Sequence, residues 1–267
     1  MIFKIIIIAL IFLMISCDSG NSIDPNVKLF KNFMPLEVGN YWVYNAVEID
    51  QNGNELAFTK RIDSFAISES TTKSIISEGK VNDFLVYKLD YYKDKKYINS
   101  TYYHNKSGYL SMVYDKNNFI IDNLEPSFAY LIIQNSYKWN AFKYSNNEYD
   151  FVFENEKYKS VYDVTVNSES LYSDTVTVPA GNFIFYQYSE LIDSRLMFDY
   201  KNYINSVRFY KIENTYRFAE SVGMIYHFQK PTYQRFMPVN PNPDFPSKIL
   251  FFNGLKRELV RYKAVID

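Results

Sequence analysis

The chain has 267 residues, 47% of them hydrophobic and 19% aromatic, and its 29 basic and 30 acidic residues leave a formal charge of -1. That apolar content is ample for a core, whereas the lack of any long basic block argues against a nucleic-acid partner, which needs a concentrated positive surface. Cys17 is the only cysteine, so no intrachain disulfide can form.

Lys4 precedes an apolar run from Ile5 to Ile15, followed by Ser16, Cys17 and the polar Asp18-Ser19-Gly20. The run is shorter than the ~20 apolar residues of a spanning helix. A basic start, a short apolar core and a small residue before the cut are instead the parts of a secretory signal. Leu13-Met14-Ile15-Ser16-Cys17 resembles the lipobox of bacterial lipoproteins, with Met14 where leucine is usual. The resemblance implies that Cys17 is acylated, opens the mature chain and anchors it in the cell envelope, with the outer membrane as the expected site. An ordinary cleaved signal and an uncleaved anchor are the alternatives. Once Cys17 carries lipid, no thiol remains for a nucleophile or a metal. Residues 1–17 then form the signal and residues 18–32, with Asp24-Pro25-Asn26, a flexible tether. The remaining residues, 33–267, are expected to fold as a single β domain.

Gly39-Asn40 supplies a turn, and Tyr41 to Ile49 is rich in strand formers. Asp50-Gln51-Asn52-Gly53-Asn54-Glu55 invites a calcium reading, but an EF-hand loop needs its glycine sixth and here it is fourth. Asn-Gly between strand-like runs predicts a hairpin. Leu85, Tyr87, Leu89 and Tyr91 alternate with Lys88 and Asp90, the period of a strand with one wet side. Lys96–His104, Gly108–Tyr114, Tyr149–Phe153, Val161–Val166 and Val207–Ile212 read the same way. Turn chemistry falls between them at Asn105-Lys106-Ser107-Gly108, Asp115-Lys116-Asn117-Asn118 and Asn167-Ser168-Glu169-Ser170. Leu124-Glu125-Pro126 breaks the pattern, and Ser127 to Gln134 fits a short helix or a buried strand.

Thr175-Val176-Thr177-Val178 alternates as a strand, Pro179 presets a turn that Gly181 can close, and Phe183 begins a new strand. Gly223 interrupts two apolar runs, which in a strand marks a bulge or bend. Between Lys230 and Lys248 five prolines predict an extended loop, either a crossover or a functional loop, before Lys248–Val265 returns to strand-like sequence. A tyrosine- and phenylalanine-rich chain suits pleated, half-buried sheet surfaces, and its ring faces can also serve recognition.

Three segments together resemble a loose set of uncharacterised bacterial envelope lipoproteins with a Pro-Leu-x-x-Gly-Asn-x-Trp-x-Tyr start, a Val-Pro-Ala-Gly-x-Phe turn and a Gly-Val-Gly-like segment. Pro35, Leu36, Gly39, Asn40, Trp42 and Tyr44 match the start, and Val178, Pro179, Ala180, Gly181 and Phe183 the turn. Ser221-Val222-Gly223 stands for the last, with serine in place of its first glycine. The resemblance implies an all-β fold with minor helix: an antiparallel, strongly curved meander sheet forming a half-barrel or open barrel, somewhat like the lipoprotein-carrier proteins. It brings no catalytic residues.

Chemistry is sparse. His104 and His227 have no partner at ligand spacing, so no metal is expected and both read as incidental surface or core-edge residues. There is no nucleophile elbow and no phosphate-cradling glycine run. A carboxylate pair could still converge from distant strands. The expectation is a non-enzymatic, lipid-anchored envelope protein without a cofactor. Its curved sheet would bind an apolar ligand or an envelope protein. A structural or assembly lipoprotein is the alternative, and an enzyme acting on envelope glycans or lipids the second.

Overall fold

The computed structural model describes residues 33–77, 80–106, 109–113, 129–133, 137–153, 156–200, 203–238 and 248–265. Cys17 and the tether at 18–32 lie outside these residues, as do Asp115-Lys116-Asn117-Asn118, Leu124-Glu125-Pro126 and 239–247 of the proline-rich stretch. Within them the chain forms one antiparallel sheet of fourteen strands. The first run comprises β1 (Tyr41–Ile49), β2 (Arg61–Ser77), β3 (Lys80–Lys93), β4 (Lys96–Lys106), β5 (Tyr109–Val113) and β6 (Ala129–Ile133). The second comprises β7 (Lys138–Phe153), β8 (Glu156–Val178), β9 (Gly181–Tyr200), β10 (Tyr203–Ala219) and β11 (Gly223–Gln229). Last come β12 (Thr232–Pro238), β13 (Lys248–Phe252) and β14 (Gly254–Lys263). The helical content of the described residues is one 3₁₀ turn, Ala57–Thr59.

Both runs are meanders, and β14 lies between β1 and β11 to join them: the order is β6-β5-β4-β3-β2-β1-β14-β11-β10-β9-β8-β7. Its two ends, β6 and β7, are consecutive in the chain. Five residue steps from Ile133 to Lys138 reach at most ~18 Å at ~3.6 Å per residue. Twelve strands laid flat at ~4.8 Å spacing would hold those edges roughly 50 Å apart. The sheet must therefore curl until its edges approach, and no ladder joins β6 to β7 among the described residues. The result is a curved, open barrel.

The concave face holds the core. Along β8, Ser160, Tyr162, Val164, Val166, Ser168 and Ser170 are buried and their neighbours are not, the two-residue period of a strand with one face inward. Trp42, Tyr44, Leu196, Ile225 and Leu259 fill the middle with almost no exposure. Phe33, Met34 and Leu36, just before β1, are also buried and plug one end, Phe33 meeting Tyr188 edge-on at 5.8 Å.

Three sequence expectations need correction. Asn167-Ser168-Glu169-Ser170 is not a turn but continuous β8, paired with β9 from Asn167↔Leu191 to Ser170↔Tyr188. Its serines point inward, and the irregularity falls later, between Ser170 and Ser173. The proline-rich stretch is not a loop throughout. Thr232–Pro238 is a strand pairing β10 and β13, tolerated because Pro231 and Pro238 stand at its ends. In β3, Leu85 is exposed whereas Asp90 is buried and accepts a hydrogen bond from Ser100 Oγ at 2.5 Å. The outer face is not simply wet there, because Val86 and Val113 pack with Phe84 and Tyr102 in a second small cluster. Ala129–Ile133, within the segment read as helix or strand, is β6.

Gly39 and Gly181 hold φ of 93° and 137°. A Cβ would meet nothing within 4 Å at Gly39 and only the Phe183 ring at 3.8 Å at Gly181, so any cost there lies in the backbone. Gly39→Val and Gly181→Val are each expected to lose ~1–2 kcal/mol, the penalty of left-handed backbone for a residue with a Cβ. Thermal melts of both variants check this; wild-type melting temperatures would show that these turns do not hold those conformations in solution.

Candidate functional site

The three sequence segments meet at the plugged end. The Trp42 indole N–H donates to Val222 O at 2.5 Å and the Tyr44 hydroxyl to Met224 O at 2.7 Å. Gly223, at φ 102°, lies under the indole, where a Cβ would sit 3.0 Å from Trp42 Nε1. Ser221 itself has φ 61°, a conformation glycine adopts without a Cβ penalty. Asn40 is buried and ties three segments: its amide donates to Pro35 O at 2.9 Å and Val265 O at 3.0 Å, and its oxygen accepts Val265 N–H at 2.8 Å. Beside Pro179, Ala180 N–H donates to Leu259 O at 3.0 Å. These residues clasp the barrel end, and their polar groups are spent on protein partners.

The space that remains lies deeper. A cavity of about 350 Å³ is walled on one side by Met34, Leu89, Leu110, Met112, Ile192 and Phe218. Its other wall is polar, built of Glu190, Asn214, His227, Gln229 and Arg257, with the Tyr44, Tyr103 and Tyr216 rings between. Strand register assembles that wall. His227 stands opposite both Arg257 and Tyr216, and Asn214 opposite Glu190.

The hydrogen bonds run in one direction. Arg257 Nη1 donates to His227 Nδ1 at 3.0 Å, which fixes the proton of the neutral ring on Nε2. Nε2–H then donates to Asn214 Oδ1 at 3.2 Å, and Asn214 Nδ2 to Glu190 Oε2 at 2.7 Å, where the Tyr216 hydroxyl also donates at 3.2 Å. Burial pushes the His227 pKa well below the ordinary histidine value, and the Arg257 charge adds to the effect. Tyr216 stacks on the imidazole with centroids 4.8 Å apart. On its other side Arg257 Nε donates to Asp63 Oδ2 at 2.7 Å, and Asp63, fully buried, also accepts Arg61 Nε at 3.1 Å. Burial likewise raises the Tyr44 and Tyr103 hydroxyl pKa values, Tyr103 to about 12, with the Glu190 charge adding and Arg257 opposing.

No protein-family model matches the chain. No curated protein matches it either. Two solved structures resemble it loosely. A candidate lipoprotein from Parabacteroides distasonis shares 12% identity at a TM-score of 0.40, over 88% of this chain and 100% of that one. A candidate exported protein with a YmcC-like fold from Bacteroides fragilis shares 11% at 0.39, over 88% and 100%. Neither likeness is close enough to transfer a residue or a role.

A wider open cleft of about 790 Å³ shares Glu190 and Asn214 with the cavity wall, and its lining includes Trp139, Leu171, neutral polar side chains and paired charges. Lys138 meets Glu169 at 3.2 Å and Lys230 meets Glu213 at 2.6 Å. The Lys230 hydrogen bond holds Glu213 below the usual carboxylate range. In the first hairpin, Asp50 accepts the Asn52 and Asn54 amides at 2.8 Å each and Gly53 takes φ 86°, so its carboxylate is engaged in a turn. No group of three or more potential metal ligands occurs among the described residues.

His227 is therefore no incidental edge residue, as its sequence context suggested: it sits in the polar wall with both nitrogens bonded. His104 lies within β4 with Nδ1 2.8 Å from Leu85 O. The polar-wall residues carry one readable signal, a polar group on the apolar parity of a strand. Glu190 alternates with Tyr188 and Ile192, Asn214 with Ile212 and Tyr216, and Arg257 with Leu259.

Proposed function

We propose that this chain is a lipid-anchored protein of the cell envelope, held through Cys17, whose curled sheet binds an apolar ligand without chemical turnover. The observation that carries the binding reading is the partly open cavity of about 350 Å³ with one apolar wall. That volume falls at the small end of ligand sites, ~300–1,000 Å³, which are likewise mostly apolar with a few placed polar groups. Outer-membrane placement rests on the lipobox resemblance alone.

A specific observation favours a second reading, a structural lipoprotein that docks a partner. The β12–β13 hairpin exposes Tyr233, Ile249, Leu250, Phe251 and Phe252, Phe251 at 65%, and among the described residues β13 pairs with β12 alone. Exposed apolar edges of this kind invite pairing.

Every contact described lies within 33–265, so a chain from Ser19 onward contains the whole described fold. Folded, it is expected to bind an environment-sensitive hydrophobic dye that an envelope lipid extract displaces. In cells, Cys17→Ala is expected to abolish lipid labelling. Absence of native-state dye binding would remove the ligand reading and leave the docking one; unchanged labelling would remove the anchor.

A further inference from the structure

The polar wall of the cavity has donors to spare. Arg257 uses Nε on Asp63 and Nη1 on His227, and among the described residues its Nη2 has no acceptor. The Tyr103 hydroxyl and the Gln229 side-chain amide, which line the same cavity, also lack partners among the described residues. Arg61, which shares Asp63 with Arg257, also meets Glu48 at 3.6 Å and does not line the cavity, so the charged lining is Arg257 with Glu190. None of these donors is sealed from solvent, so a ligand acceptor replaces water there, and a hydrogen bond to the guanidinium is worth more than one between neutral groups. The site therefore favours a head group that is rich in lone pairs, and beside it the wall becomes apolar.

Building on the ligand reading above, we infer that the cavity receives a single-chain amphiphile with a carboxylate head, taken by Arg257 Nη2 and Tyr103 Oη, its chain lying among Met34, Leu89, Leu110 and Met112. The carboxylate offers lone pairs and no proton, the complement of these donors, and guanidinium bonds to carboxylate are charge-assisted. An apolar cavity of ~150 Å³ holds benzene, so the volume here suits a chain of roughly a dozen carbons. Glu190, held by Asn214 and Tyr216 in the same wall, opposes the head's charge and limits the affinity.

The test compares dodecanoate, methyl dodecanoate and dodecanol as competitors for the bound dye, at about pH 8 where a carboxylic acid is ionised. Dodecanoate is expected to compete at least tenfold better than the other two. Tyr103→Phe, which removes a hydroxyl without a protein partner and so leaves the melting temperature unchanged, should weaken dodecanoate about tenfold, as for one hydrogen bond to a charged acceptor. It should weaken dodecanol by less, as for a hydrogen bond to a neutral acceptor. Glu190→Gln, nearly isosteric, should tighten dodecanoate and not dodecanol. Equal competition by all three compounds, or no change in Tyr103→Phe, overturns the carboxylate inference while the apolar-ligand reading stands. Dye that an envelope lipid extract displaces but none of the three does overturns the carboxylate inference alone, and dye that the extract fails to displace overturns both.

Discussion

Trp42→Ala is expected to lower the unfolding free energy by roughly 3–5 kcal/mol, the range for deleting a large buried aromatic. Trp42 has no exposed surface, and its ring roofs Gly223 at the turn between β10 and β11. Its N–H is the partner of Val222 O, so truncation opens a cavity and also leaves that part-buried carbonyl without its donor. The loss should exceed that of an isolated core residue, because the same ring pins the plug: Met34 packs 3.5 Å from the position of a Gly223 Cβ and also lines the interior cavity. Trp42→Phe keeps an aromatic ring and removes the donor, and should cost less. Urea unfolding of the chain from Ser19 onward separates the two, and a change under about 1 kcal/mol in Trp42→Ala would show that the clasp does not hold the barrel end.

The clasp and the cavity wall were unequally legible in the sequence. Gly39-Asn40, Pro179-Ala180-Gly181 and Gly223 announce themselves because turns and close approaches restrict residue type locally, and a neighbouring run of strand formers supplies context. What a turn residue grips is a different matter. That Asn40 binds Val265, across 225 positions, follows from sheet closure and not from either segment. The polar wall was harder still. Glu190, Asn214, His227 and Arg257 belong to four strands, and each looks like an ordinary polar residue in an alternating run. Only register places His227 against Arg257 and Asn214 against Glu190, and long-range register is set by curvature and bulges. One such bulge, between Arg217 and Phe218, lies inside this region. Similarly, the serines of Asn167-Ser168-Glu169-Ser170 signal a turn by composition. Pairing of β8 with β7 and β9 takes up their backbone at this point, whereas the buried Ser168 Oγ has no partner among the described residues.

Arg257→Met is expected to cost about 2 kcal/mol, because it removes a charge-assisted hydrogen bond to the buried Asp63, of the kind worth ~1.5–3 kcal/mol. Asp63 has no exposed surface and keeps Arg61 as its one remaining ion-pair partner, while His227 Nδ1 loses its donor. The guanidinium also lies over the Phe65 and Tyr91 rings, 5.5 Å from each centroid, and methionine replaces the packing but not the cation. Asp63→Asn in the same background should recover part of the loss, and the double-mutant cycle gives the coupling directly. The acid side of the profile supplies a second reading of the same wall. His227 is held neutral in the folded chain below its unfolded value of about 6.5, so as pH falls through that value the unfolded chain takes up a proton that the folded one refuses. Stability should therefore fall between about pH 6.5 and 5, above the range in which most carboxylates titrate. His227→Gln should flatten that limb. A profile identical to wild type in His227→Gln, or a loss below about 1 kcal/mol in Arg257→Met, would mean that the Asp63–Arg257–His227 bonds do not hold this wall together in solution.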